Sequence, residues 1–223
     1  MSSKRTQNPP AGGDEGREKP RGMQRLRAIL REIVFLGVLV LLVLTARASL
    51  ADHYYVPSGS MRPTVEKGDH LVVNKLAFGL RIPRTTSYIV PGPEPRRGDV
   101  VVLSSPLDGT VLLKRVVAVP GDVIRVDSSG RLHLNGRSVE IRQEYDNTLE
   151  ILGEAPHTVR LTSNPIRPYG PKTLPEDQYL VLGDNRGESQ DGRNFGLVER
   201  DSILGRGIAI YWREGRLTWE RFH

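Results

Sequence analysis

The stretch Ser58-Gly59-Ser60-Met61-Arg62-Pro63-Thr64 holds two serines two positions apart, and a lysine lies far downstream in the apolar run Leu112-Leu113-Lys114-Arg115-Val116-Val117. A serine hydroxyl is a weak nucleophile at neutral pH and needs a neighbouring base. A lysine amine serves as that base only where burial disfavours its charged form. Lys114 sits among Leu and Val, where such burial is expected. Ser60 is therefore the candidate nucleophile and Lys114 the candidate general base. Gly59 lets backbone approach a substrate closely, and Pro57 and Pro63 stiffen the approach and the exit. Ser58 could aim its hydroxyl at a developing oxyanion, beside the amide of Ser60. The same residues also fit an ordinary Ser/Gly turn, and the motif alone does not choose between the two.

Neighbours on a strand face opposite sides, so one of Lys114 and Arg115 is expected to point inward. Arginine does not give up its proton in a protein, which leaves Lys114 as the base of the two. A strand lysine facing solvent is the competing reading. A third segment, Gly183 through Gly196, is dense in turn formers and hydrogen-bonding groups. Ser189 could orient a lysine amine there. Asp191 and Arg193 could form an ion pair that holds the loop. A solvated polar loop remains the plain alternative; a calcium loop is disfavoured, because Arg186 stands where a ligand would be needed.

Other chemistries find little support. The chain has no cysteine, which excludes disulfides, thiolate catalysis and Cys-ligated zinc. Its five histidines share no motif, and no metal-ligand spacing or phosphate loop is present. No metal or cofactor is expected. Of the formal net charge of +6, residues 1–32 supply +4. The folded part is thus nearly balanced, which argues against nucleic acid as a partner.

The elements that must position these residues follow from the rest of the pattern. Residues 1–32 read as a disordered basic cytoplasmic tail with a helical lead-in from residue 24. Ile33 to Ala46 carries no charge. Fourteen helical residues span only about 21 Å, short of an apolar bilayer core of about 30 Å; extension to Ala51 supplies the rest, with Arg47 snorkelling. Residues 33–51 are thus expected to form a transmembrane signal-anchor, with the basic flank cytoplasmic. A cleaved signal peptide also fits, since Ala46-Arg47-Ala48 and Ser49-Leu50-Ala51 match a small-x-small site; a buried core helix fits least. Residues 52–223 alternate short Val/Ile/Leu-rich runs with Gly-Asp, Asn-Gly and Pro-Gly punctuation. They are expected to form an extracytoplasmic, all-β catalytic domain of coiled antiparallel sheets or a barrel, with a polar insertion at about 128–175.

Together these segments resemble the bacterial type I signal peptidase (leader peptidase) family of Ser–Lys serine proteases. The resemblance runs through the anchor and Tyr54 to Thr64, then Gly68 to Lys75, Arg97 to Val102, Lys114 to Asp122, and Gly183 to Gly196, in that order. It implies Ser60 as acylating nucleophile, Lys114 as its base, Ser58 as an oxyanion donor with the Ser60 amide, and Ser189 as the serine positioning the lysine. It further implies an Asp191–Arg193 structural pair, support from Gly183 and Asn185, and pockets for small side chains at Val56 and Leu113. Asp52-His53 stands where Glu-Pro is common, and Gly187-Glu188 where Asp-Asn is more usual. The implied activity is removal of N-terminal signal peptides from exported preproteins, after small-x-small sites. The enzyme would be a monomer in the bacterial cell membrane, in contact with the lipid bilayer. Two rivals are a self-cleaving repressor, which would need a DNA-binding domain in place of the apolar segment, and a membrane-tethered β module that only binds.

Overall fold

The computed structural model describes residues 21–81, 88–153, 155–163 and 165–222. Much of the tail expected to be disordered lies outside these residues. A single helix, α1 (Arg21–Leu50), joins the expected lead-in and apolar segment into 30 residues. Leu, Ala, Val and Arg dominate it, and it contains no proline. Its side chains from Arg25 to Val40 are exposed. Among the described residues, no helix is long and apolar enough to cross a membrane; the side chains of residues 41–50 are outside that description.

After the helix nearly all the regular elements among the described residues are strands. In chain order they are β1 (Ala51–Tyr55), β2 (His70–Asn74), β3 (Gly79–Arg81), β4 (Tyr88–Pro91), β5 (Val100–Ser104) and β6 (Val111–Ala118). Next come β7 (Val123–Val126), β8 (Leu132–Leu134), β9 (Arg137–Ser138), β10 (Ile141–Glu144), β11 (Asn147–Leu152) and β12 (Ala155–Val159). Then follow β13 (Tyr169–Thr173), β14 (Gln178–Leu182), the short helix α2 (Gly192–Phe195), β15 (Val198–Glu199), β16 (Ile203–Arg213) and β17 (Arg216–Arg221).

The main sheet is antiparallel and runs β1-β2-β16-β5-β6-β14-β15, with β17 also paired to β16. Its central strands need no polar face. Val100 to Leu103 of β5 and Lys114 to Ala118 of β6 are buried throughout, as expected for strands covered on both sides. β7 keeps strict alternation, with Ile124 and Val126 inward. Asn135 and Gly136 both take positive φ, 52° and 81°, between β8 and β9. That is the two-residue hairpin geometry their sequence demands.

The stretch 128–175, expected as a polar insertion, contributes six strands and part of the core. Leu132, Leu152 and Leu174 are buried in one cluster with Val117 and Ala118 of β6 and Leu180 and Leu182 of β14. A second cluster lies beneath the serine turn and joins Val56, Met61, Val65, Leu71, Val73, Val100, Val102 and Ile210.

Candidate active site

Ser60 lies in the loop joining β1 to β2. Val56 and Asp69 close that loop, with Val56 N–H donating to Asp69 O and Gly68 N–H to Val56 O, both at 2.9 Å. Within it, Arg62 N–H reaches Gly59 O at 3.1 Å and Val65 N–H reaches Met61 O at 2.9 Å. Met61 and Val65 are fully buried. Two apolar side chains thus pin the turn to the core and leave the half-buried Ser60 at its rim.

Lys114 comes to this turn from β6. Its Nζ donates to Ser60 Oγ at 2.7 Å, across 54 positions of sequence. The lysine is only 3% exposed. Burial lowers its ammonium from an ordinary 10.5 to about 8, and nearby Arg193 adds to that, while the carboxylates of Asp191 and Asp184 oppose it. A buried amine with a lowered pKa, in hydrogen-bond reach of a serine hydroxyl, can take its proton. Ser58 Oγ stands 3.4 Å from Ser60 Oγ, on the exposed side of the turn.

Arg115 is buried as deeply as Lys114, at 1% exposed. The expectation that only one of the two points inward is corrected here, because β6 is covered on both faces from Lys114 onward. Arg115 turns to the face opposite Lys114 and grips Asp184 with two hydrogen bonds of 2.9 and 2.8 Å. It also donates to Gly98 O at 2.7 Å. Asp184 in turn accepts from Thr64 Oγ1 at 2.6 Å.

The polar loop after β14 is the third wall. Asn185 N–H donates to Ser60 O at 3.1 Å, and Asn185 Nδ2 donates to Gly59 O at 3.2 Å. Glu188 Oε2 accepts from the same amide at 3.1 Å, so the unusual glutamate takes part in the loop's bonding. Asp191 and Arg193 form a buried two-bond pair at 2.8 Å each. Asp191 also accepts from Gly183 N–H at 3.0 Å and caps α2. Gly183 has no room for a side chain: a Cβ there would stand 2.3 Å from both Ser60 O and Ser189 Oγ. Ser189 Oγ is buried, with no hydrogen-bond partner among the described residues, Lys114 included. Val56 and Leu113 fall in one apolar cluster with Met61.

Three further residues join the site from the stretch 128–175. Glu150 and His157 sit opposite each other on β11 and β12. Arg160, just beyond, pairs with Asn185, and its N–H donates to Asp184 O at 2.8 Å. The only sequence signal for the first two was charge inside strand-like runs. A cavity of about 650 Å³, lined in part by Arg96, Gly98, Asp99, Leu152 and Arg206, includes neither Ser60 nor Lys114.

Residues 29–212 match the signal peptidase family, peptidase S26. The chain belongs to that family. It is 36% identical over 201 residues to signal peptidase I of Pseudomonas fluorescens, covering 79% of this chain and 71% of that one. Signal peptidase I of Pseudomonas aeruginosa is 34% identical over the same shares. Signal peptidase I T of Bacillus subtilis is 33% identical over 178 residues, 78% of this chain and 81% of that one. This family member is a hydrolase, and the Ser60 turn, β6 and the 183–196 loop all fall inside the matched region.

Proposed function

We propose that this family member is a membrane-anchored serine endopeptidase that removes N-terminal signal peptides from exported preproteins by a Ser60–Lys114 dyad. The 2.7 Å contact between Lys114 Nζ and Ser60 Oγ, made by a lysine that is nearly fully buried, carries this reading. Neutral Lys114 accepts the Ser60 proton as Oγ bonds to the scissile carbonyl carbon. The carbonyl oxygen becomes an oxyanion, held by the Ser60 amide and the Ser58 hydroxyl. When the carbon–nitrogen bond breaks, Lys114 returns the proton to the leaving amine. That amine is the new N-terminus of the mature protein, which departs. Water then attacks the acyl carbon and gives a proton to Lys114, the ester bond to Oγ breaks as Lys114 returns that proton to Ser60, and the signal peptide leaves with its new carboxylate. Val56 and Leu113 line shallow apolar pockets that admit small side chains one and three residues before the bond. Ser189 positions the lysine, and Asp191, Arg193, Gly183 and Asn185 hold the loop around it.

The helix Arg21–Leu50 is the anchor, at about 45 Å for 1.5 Å per residue. Its charge-free middle from residue 33 to 46 and its basic start favour a cytoplasmic N-terminus and an outward-facing domain. Exposed apolar side chains such as Ile33, Phe35 and Val38 suit a lipid surrounding. Tethering confines the enzyme to the membrane that the substrate's own apolar segment enters, which raises the chance of encounter.

The test uses the detergent-solubilised full chain with a preprotein. A new mature N-terminus after a small-x-small site is expected, and none with Ser60→Ala or Lys114→Ala. Processing by either purified variant at the wild-type rate would sink the dyad. Sequencing the N-terminus of membrane-extracted enzyme separates a retained anchor from a cleaved one.

A further inference from the structure

Beneath the catalytic loop lies a cluster of five charged or titratable side chains, each no more than 5% exposed: Arg115, Glu150, His157, Asp184 and Arg186. Glu150 and His157 are direct cross-strand partners on β11 and β12, so their side chains share one face. Arg186 clamps Glu150 with bonds of 3.0 and 2.5 Å and also donates to Gly130 O at 2.6 Å and Gly183 O at 3.2 Å. Arg115 clamps Asp184 from β6. His157 Nε2 lies between the two carboxylates, 3.3 Å from Glu150 Oε2 and 4.0 Å from Asp184 Oδ1. Neither contact has hydrogen-bond geometry, and both ring nitrogens are without a hydrogen-bond partner among the described residues.

Asp184 and Arg186 flank Asn185, whose two donors hold the carbonyls of Gly59 and Ser60. The strand pair β11–β12 thus reaches the nucleophile through one turn. We propose that Glu150 and His157 are positioning residues for Ser60, acting through the Asp184-Asn185-Arg186 turn, and that His157 must be neutral for the turn to hold. This rests on Ser60 being the nucleophile.

The charge balance explains the requirement. Two guanidiniums face two carboxylates, so a neutral imidazole leaves the cluster balanced and a proton on it leaves one uncompensated positive charge. Burial already holds the imidazole below its ordinary value, Arg115 adds to that, and Glu150 and Asp184 pull the other way. Thr64, which donates to Asp184, does not titrate. Each carboxylate already answers a guanidinium, so a proton on His157 adds a net buried charge, which is disfavoured. Charging His157 therefore loosens the turn rather than persisting inside it.

The experiment follows kcat and KM on a small-x-small peptide from acid to pH 9 with full-length wild type, His157→Gln, His157→Phe and Ser60→Ala, wherever the far-ultraviolet spectrum is unchanged. Lys114 must lose one proton, which gives log kcat/KM a slope of one below pH 8. The wild type is expected to steepen towards two further into acid. His157→Gln, a neutral amide, should keep a slope of one throughout with kcat near the wild-type plateau. His157→Phe, which is never charged and gives up no hydrogen bond among the described residues, should likewise keep a slope of one. An acid limb identical in wild type and His157→Gln, or one that still steepens towards two in His157→Phe, would overturn the proposal while an inactive Ser60→Ala leaves the dyad standing. Full activity in Ser60→Ala would overturn both.

Discussion

Arg115 and Asp184 hold each other by two parallel hydrogen bonds, and each is the chain neighbour of a residue at the dyad: Lys114 on one side, Asn185 on the other. Both are about 1% exposed. The pair therefore ties the strand carrying Lys114 to the turn that grips Ser60. Arg115→Met leaves Asp184 charged and buried without its guanidinium partner. A loss of about 3–5 kcal/mol in urea unfolding is expected. Adding Asp184→Leu should restore much of that stability but not activity, because Thr64 then lacks its acceptor.

The pH dependence of activity and of stability run in the same direction here. Lys114 must be neutral to act, so kcat/KM should rise with pH through about 8. Its folded value lies below the ordinary 10.5, so between those two values the unfolded chain binds more protons and stability rises with pH. Below pH 8 the charged, buried amine costs the fold about 3 kcal/mol. Lys114→Met should therefore abolish cleavage yet stabilise the domain by about 1–3 kcal/mol at pH 7. That gain should shrink as pH approaches 10. Denaturant titrations at three pH values would check it, and a destabilised variant at pH 7 would contradict it.

Ser58→Ala and Ser189→Ala should leave stability within about 0.5 kcal/mol, since Ser58 is exposed and the Ser189 hydroxyl has no hydrogen bond to lose among the described residues. Ser58→Ala should lower kcat about 100-fold with little change in KM, as expected for a donor used mainly in the transition state. Ser189→Ala should also lower kcat and move the acid limb of its pH profile, the rise through about 8. An unchanged limb would show that Ser189 does not act on Lys114.

Gly183→Ala should reduce activity sharply and destabilise by about 1–3 kcal/mol. Its methyl would press on Ser189 Oγ and on the Ser60 carbonyl. The double variant Gly183→Ala, Ser189→Ala relieves only the first contact and should stay impaired. Thermal melts beside peptide cleavage rates separate the two effects.

Much of the site was readable before the fold because its parts lie in short local patterns. Ser60 sits between turn formers, Lys114 interrupts an apolar run, and Asp191 and Arg193 are two residues apart. The burial of Arg115 was not readable, because strand alternation predicts one open face and β6 has none. Glu150 and His157 were passed over for a different reason. Their role depends on β12 running on into Arg160, which pairs with Asn185. That register belongs to the folded chain and leaves no mark at either position. The expected insertion misled in the same way: its polar residues dominate the composition, while Leu132, Leu152 and Leu174 do the packing.

The Asn185 amide, bonded to the Ser60 carbonyl at 3.1 Å, makes the enzyme its own reporter. A shift of the Ser60 carbonyl away from the 183–196 loop breaks that bond. Its hydrogen-exchange rate therefore reads, in free enzyme and without any substrate, the fraction of time the turn spends out of register. A resonance assigned to this one amide would rank inhibitors, detergents and variants by how far each quiets or frees the serine.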